Sequence, residues 1–156
     1  MFTIAEDDLT GEATRALIRI HLEGMRATSP PGSVFALDMS GLRAPQVTVW
    51  TVREGKSVVG IGALKALGGR SGEVKSMRTH PDHLRRGIGA RLLDHMIAKA
   101  RAREWNRLSL ETGSGPSFDP ALALYRSRGF VGGEAFADYE RSRFNQFLHL
   151  DLKGRA

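Results

Sequence analysis

The chain has 156 residues, room for one domain (1–156) with a sizeable core, and its 41% apolar and 26% charged residues are the balance of an ordinary globular protein. It has no cysteine, which excludes disulfides, thiolate metal sites and a cysteine nucleophile and fits a reducing cytoplasm. A formal net charge of +6 attracts anions in general, but the basic residues are spread over Arg85-Arg86, Lys99 to Arg103 and Arg126-Arg128 and read mainly as solvated surface.

The N-terminus is acidic and lacks the apolar run of a signal peptide, and the most apolar stretch, Val58 to Leu64, is too short to span a bilayer. Thr10 to Ala27 carries Leu17, Ile18, Leu22 and Met25 at helical spacing, with Asp8 or Thr10 as its expected cap. Ser29-Pro30-Pro31-Gly32-Ser33 breaks that helix, and a second short helix is expected between Val34 and Leu42. Gln46 to Arg53, Ser57 to Leu67 and Glu73 to Thr79 read as three strands joined by glycine turns short enough to make them antiparallel neighbours.

From Gly87 to Arg103 the pattern changes. Ile88, Leu92, Leu93, Met96, Ile97 and Ala100 form a helical stripe, and Lys99, Arg101 and Arg103 fall in the last turn, where the helix dipole favours cations. Arg107 to Thr112 is a strand. Asp119 to Ser127 is a short helix with Asp119 as cap and Pro120 in its first turn, ended by Arg128-Gly129-Phe130. Asn145 to Leu152 alternates as a final strand. With Gln46 to Arg53, it offers an edge for pairing between copies. The order predicts an α+β fold whose early strands are antiparallel, with one crossover at the Gly87 helix.

Arg85 and Arg86 stand directly before Gly87-Ile88-Gly89, beside a helix N-terminus that already carries partial positive charge. Glycines here let backbone approach an anion, and the free N–H groups of residues 85–90 would point at it, with the arginines as counter-charge. The phosphate-loop pattern is absent, and the dinucleotide pattern fails because Leu92 stands where its third glycine belongs.

Leu84-Arg85-Arg86-Gly87-Ile88-Gly89-Ala90 resembles the acyl-CoA signature Q/R-x-x-G-x-G/A of the Gcn5-related N-acetyltransferase (GNAT) family, with Leu84 where Gln or Arg is usual. Pro81 before the turn fits. So does Ala121 to Phe130, similar to the family's A-x-x-x-Y-x-x-x-G-F with Tyr125 as its tyrosine, although Phe118 replaces an asparagine often found seven residues earlier. The resemblance covers about residues 45 to 152. It implies a mixed, mostly antiparallel sheet of six to seven strands flanked by about four helices in three layers. It also implies acetyl-CoA as acetyl donor, with no metal.

By the same resemblance, backbone groups of Met77, Arg78 and Thr79 hold the pantetheine arm where the 73–79 strand splays from its neighbour. The Met77 N–H polarises the thioester carbonyl. The turn from Leu84 to Ala90 binds the pyrophosphate, Phe118 lies beside the cofactor, and Tyr125 protonates the departing thiolate. The base is Glu73, expected on the same strand face as Met77, or Glu111; the alternative is that these carboxylates are solvated or ion-paired, Glu73 with Lys75. Phe35, Phe118 and Tyr139 are candidates for an acceptor pocket. His80-Pro81-Asp82-His83 has the spacing of a metal pair but reads as a polar turn. Trp50 and Trp105 read as packing residues.

The implied activity is acetyl transfer to a primary amine of a small molecule or peptide by direct attack in a ternary complex. A CoA-binding sensor domain without turnover is the alternative, and a basic nucleic-acid-binding module the least supported. A homodimer is expected, with no nucleic-acid or membrane partner.

Overall fold

The computed structural model describes residues 1–152; the last four residues of the expected domain lie outside it. Its centre is a run of β-branched and small residues that can only be a buried strand. β3 (Ser57–Gly68) is buried on both faces from Val58 to Leu64. It pairs antiparallel with β2 (Val47–Glu54) and β4 (Ser71–Thr79). The turns between them place Gly55, Gly69 and Arg70 at φ of about +60°, the left-handed conformation that tight hairpins demand.

The full sheet has seven strands in the order β1-β2-β3-β4-β5-β7-β6. β1 (Phe2–Glu6) is an antiparallel edge against β2, and β5 (Arg107–Thr112) lies parallel to β4. β7 (Gln146–Asp151) sits antiparallel between β5 and the two-residue β6 (Val131–Gly132). The parallel pair is the expected crossover through α3 (Ile88–Ala102). α3 and α4 (Asp119–Ser127) share one core with Trp50, Leu64, Val74 and Leu110. The opposite face packs Ile61 and Ala63 against α1 (Glu12–Thr28) and Leu42 of α2 (Met39–Leu42). Each fully buried aliphatic side chain contributes about 1.5–3 kcal/mol.

Three expectations are corrected. The helix predicted for 34–42 shrinks to Met39–Leu42, because Asp38 caps it by accepting from Gly41 N at 2.9 Å, while Phe35 packs edge-on against Tyr139 at 5.3 Å from an open loop. The expected caps are also displaced. Asp7 and Asp8 close turns onto Leu9 and Thr10, leaving Gly11 to start α1; Phe118 starts α4, with Asp119 in its first turn. Finally, β2 and β7 are interior strands: β1 covers one and β6 the other.

Gly72 shows how tightly the base of the β4–β5 pair is packed. A Cβ there would lie 1.9 Å from Trp105 Cζ3. Gly72→Ala is expected to cost about 1–3 kcal/mol through overpacking, lowering Tm by roughly 3–10 °C. Thermal unfolding checks this, and Trp105→Ala in the same chain should recover part of the loss.

Candidate active site

β4 and β5 begin side by side but do not stay so. Their register runs only over Ser71↔Arg107, Gly72↔Leu108 and Glu73↔Ser109, although β4 continues to Thr79 and β5 to Thr112. Beyond Glu73 the strands splay, and a cleft of about 240 Å³ opens between them, α1 and α4. A bulge shapes its floor. Ile61 pairs with Arg78 while Ala63 pairs with Lys75, so Ser76 and Met77 together oppose Gly62, and Ser76 takes φ +58°.

The bulge overturns one expectation. Glu73 and Met77, four residues apart, belong on one face of a regular strand, but the extra residue sends them to opposite faces. Met77 turns to the α3 side, where a Cβ on Gly62 would meet Met77 Sδ at 2.8 Å and Leu92 Cδ2 at 3.0 Å. Glu73 turns to the other side. There its Oε2 accepts hydrogen bonds from Lys75 Nζ at 3.1 Å and from the Tyr139 hydroxyl at 2.5 Å. Lys75 Nζ also donates to Tyr139 Oη at 2.7 Å. Glu73 and Lys75 are thus a buried, fully engaged pair, as the ion-paired alternative anticipated.

Glu111 differs. It lines the same cleft and, among the described residues, has no hydrogen-bond or ion-pair partner. Burial raises its pKa to about 7; Lys75 opposes the rise and Glu73 adds to it. Tyr125, on α4, is 7% exposed and also lines the cleft. Burial pushes its pKa up to about 12, its ring packs edge-on against Phe130 at 5.7 Å, and its hydroxyl has no protein partner among the described residues. Phe35 and Phe118 line the cleft; Tyr139 stands behind its wall, reaching it through Glu73 and Lys75.

One site residue, His21, was missed in the sequence, and a second, Arg78, was expected to contribute only its backbone. His21 is buried on α1, and its Nδ1 accepts from Arg78 Nε at 3.0 Å. Burial, then Arg78 and Lys75, lowers its pKa to about 4, so the imidazole is neutral. Arg78 is half-buried, and burial lowers its pKa. The sequence signal for its side chain is Gly24, a glycine inside a helix. Helix interiors disfavour glycine by about 1 kcal/mol, and here it leaves room for the guanidinium.

At the other end of β4 lies the glycine turn. Gly87 starts α3 with φ +77°, and Arg85 also adopts a left-handed φ of +63°. His83 N and Arg91 N are bonded within the chain, but none of the N–H groups from Leu84 to Ala90 donates to a protein acceptor among the described residues. Gly89 lies near Thr79 and Leu124. This is an open set of donors at a helix N-terminus, suited to a pyrophosphate. Leu84 is 58% exposed and brings no polar group. Arg86 is already held by Glu54, at 2.9 and 2.5 Å, while Arg85 is exposed. His80 Nδ1 accepts from Asp82 N, closing the polar turn expected there.

The family model of the acetyltransferase (GNAT) family matches residues 14–130. The chain belongs to that family and is an acyltransferase. It is 49% identical to the uncharacterised N-acetyltransferase YedL of Escherichia coli K12, over 97% of this chain and 96% of that one. A solved chain from Klebsiella pneumoniae, assigned as an acyl-CoA N-acyltransferase, superposes with a TM-score of 0.81 at 31% identity, covering 97% of this chain and 98% of that one. The yncA structure from Salmonella typhimurium, solved with acetyl-CoA, shares the fold at a TM-score of 0.74 and 21% identity, covering 99% of this chain and 96% of that one.

Proposed function

We propose that the protein is an acetyl-CoA-dependent N-acetyltransferase that passes the acetyl group directly to a primary amine of a small molecule or peptide. The observation that carries this reading is the cleft at the β4–β5 splay. In it an unpaired carboxylate with a pKa of about 7 and a neutral, unpartnered tyrosine hydroxyl share one cavity. In this reading the N–H groups from Leu84 to Ala90, with Arg85, hold the pyrophosphate. The free edge of β4 at Met77 to Thr79 holds the pantetheine arm, and Phe118 supplies apolar contact where it has no hydrogen-bonding group.

The chemistry balances without a covalent enzyme intermediate. The amine nitrogen attacks the thioester carbonyl carbon, and the Met77 N–H takes up the developing oxyanion charge. Glu111 removes the extra proton from nitrogen, the C–S bond breaks, and Tyr125 donates a proton to the leaving thiolate. Glu73 is already engaged by Lys75 and Tyr139, which leaves Glu111 as the base.

Thermal unfolding with acetyl-CoA, free CoA and ATP tests the donor. At a hundredfold excess over Kd, acetyl-CoA is expected to add about 2.7 kcal/mol, raising Tm by roughly 5–10 °C. CoA should act similarly and ATP should do little. Thiol release with an amine panel then separates a transferase from a CoA-binding domain without turnover. No shift with millimolar acetyl-CoA would falsify the donor assignment.

A further inference from the structure

Among the described residues, the cleft contains one cation that no carboxylate neutralises. Lys75 is paired with Glu73, and His21 is neutral. Arg78 has no carboxylate partner among the described residues; its one hydrogen bond runs from Nε to His21 Nδ1 at 3.0 Å. A guanidinium held by Nε keeps both terminal nitrogens free, the pair that matches a carboxylate in bidentate geometry. Placement supports this. The bulge puts Arg78 on the α1 face of β4, away from Met77 and the α3 turn. A Cβ on Gly24 would lie 3.0 Å from one terminal nitrogen of Arg78 and 3.3 Å from the other. The helix therefore leaves space for that group where an alanine would crowd it.

A second polar residue, Ser76, lines the same cleft. Ser76 Oγ, at the left-handed bulge residue, has no hydrogen-bond partner among the described residues. A buried hydroxyl without a partner costs free energy unless a ligand completes it.

We propose that Arg78, oriented by His21 and assisted by the Ser76 hydroxyl, is the specificity determinant of the acceptor site and binds the carboxylate of an amine acceptor that also carries an acid group. The inference rests on the acetyltransferase reading and refines its substrate class to amino carboxylic acids. One guanidinium balances a single negative charge, which favours a carboxylate over a doubly charged phosphate. Glu111, which lines the same cleft, receives the amine, so a substrate that carries both an amine and a carboxylate meets a carboxylate and a guanidinium in one cavity.

The test is a panel of amino acids in which the amine and carboxylate are separated by one to five carbons, each compared with its amide, in a thiol-release assay with acetyl-CoA. For at least one separation, kcat/KM is expected to be about tenfold or more higher for the acid than for its amide. Arg78→Gln should bring that ratio to within about twofold of one, and Arg78→Lys should restore part of it, since lysine keeps the charge without the fork. The wild-type panel is decisive even if a variant does not fold. Amides turned over as fast as acids at every separation would overturn the carboxylate subsite and leave the transferase reading standing. An acid preference that survives Arg78→Gln would overturn the role of Arg78. No turnover with any amine and no thermal shift with acetyl-CoA would remove the parent reading, and this one with it.

Discussion

Glu111→Gln is expected to lower kcat/KM about 10²- to 10³-fold, the range typical of a lost general base, and to remove the acidic limb of the pH profile. Burial raises the Glu111 pKa to about 7. In the wild type the active carboxylate is therefore half-formed near neutrality, and the rate should fall about tenfold per unit below that, as the ionised fraction does. An acceptor amine with a pKa above the range gives its own slope, which both enzymes share; the difference between their profiles isolates Glu111.

The stability consequence has the opposite sign. A carboxylate whose pKa is raised in the folded state holds its proton more tightly there than in the unfolded chain. Its contribution is fully present below the unfolded value of 4.5 and is lost as pH rises through about 7. Wild-type protein at pH 8 thus carries a partly buried, unpaired charge that the glutamine variant lacks. The variant should be slower but, relative to wild type, more stable at pH 8 than at pH 5. Unfolding scans at the two pH values and kcat/KM profiles check both halves. A variant with wild-type activity would shift the base to Glu73 or to water.

Much of this site was legible in the sequence, and the illegible part has a physical cause. Gly87 announces a backbone that must approach a ligand, because left-handed φ at a helix start is something few other residues supply. Tyr125 could be singled out only through the family resemblance of Ala121 to Phe130; its helical spacing alone reads as a core aromatic. β5 and α4 were readable to the residue, since each is bounded by turn chemistry. β1 was not, although Phe2 and Ile4 alternate as a half-buried edge strand does; the acidic residues that follow masked a short signal. The Ser76 bulge was also hidden, because serine carries no mark of positive φ. From it follow the faces of Glu73, Met77 and Arg78, so a single unreadable dihedral decided which side chains share the cleft. The His21–Arg78 contact spans 57 positions and joins a helix to a strand, a pairing that no local pattern encodes.

Tyr125→Phe is expected to reduce kcat about 10²-fold or more while leaving Tm unchanged or slightly raised. The two effects separate because the hydroxyl and the ring do different things. The ring is buried in the core shared by α3 and α4 and packs on Phe130; phenylalanine keeps that area. The hydroxyl contributes no hydrogen bond to the protein among the described residues, so its removal deletes a polar atom without orphaning a partner. In the proposed mechanism, however, it is the proton source beside the leaving thiolate. With a pKa of about 12 it stays neutral throughout the working range. It is then a weaker acid than the thiol it protonates, whose ordinary pKa is about 8.5, and the proton moves only as charge develops on sulfur. The loss should therefore depend on the leaving group. A thioester with a more acidic thiol should lose much less rate in Tyr125→Phe than acetyl-CoA does, and a structural role for the tyrosine would give no such dependence. Steady-state kinetics with two acyl donors and one unfolding scan per variant settle the matter; a matching drop in Tm would assign Tyr125 to the core alone.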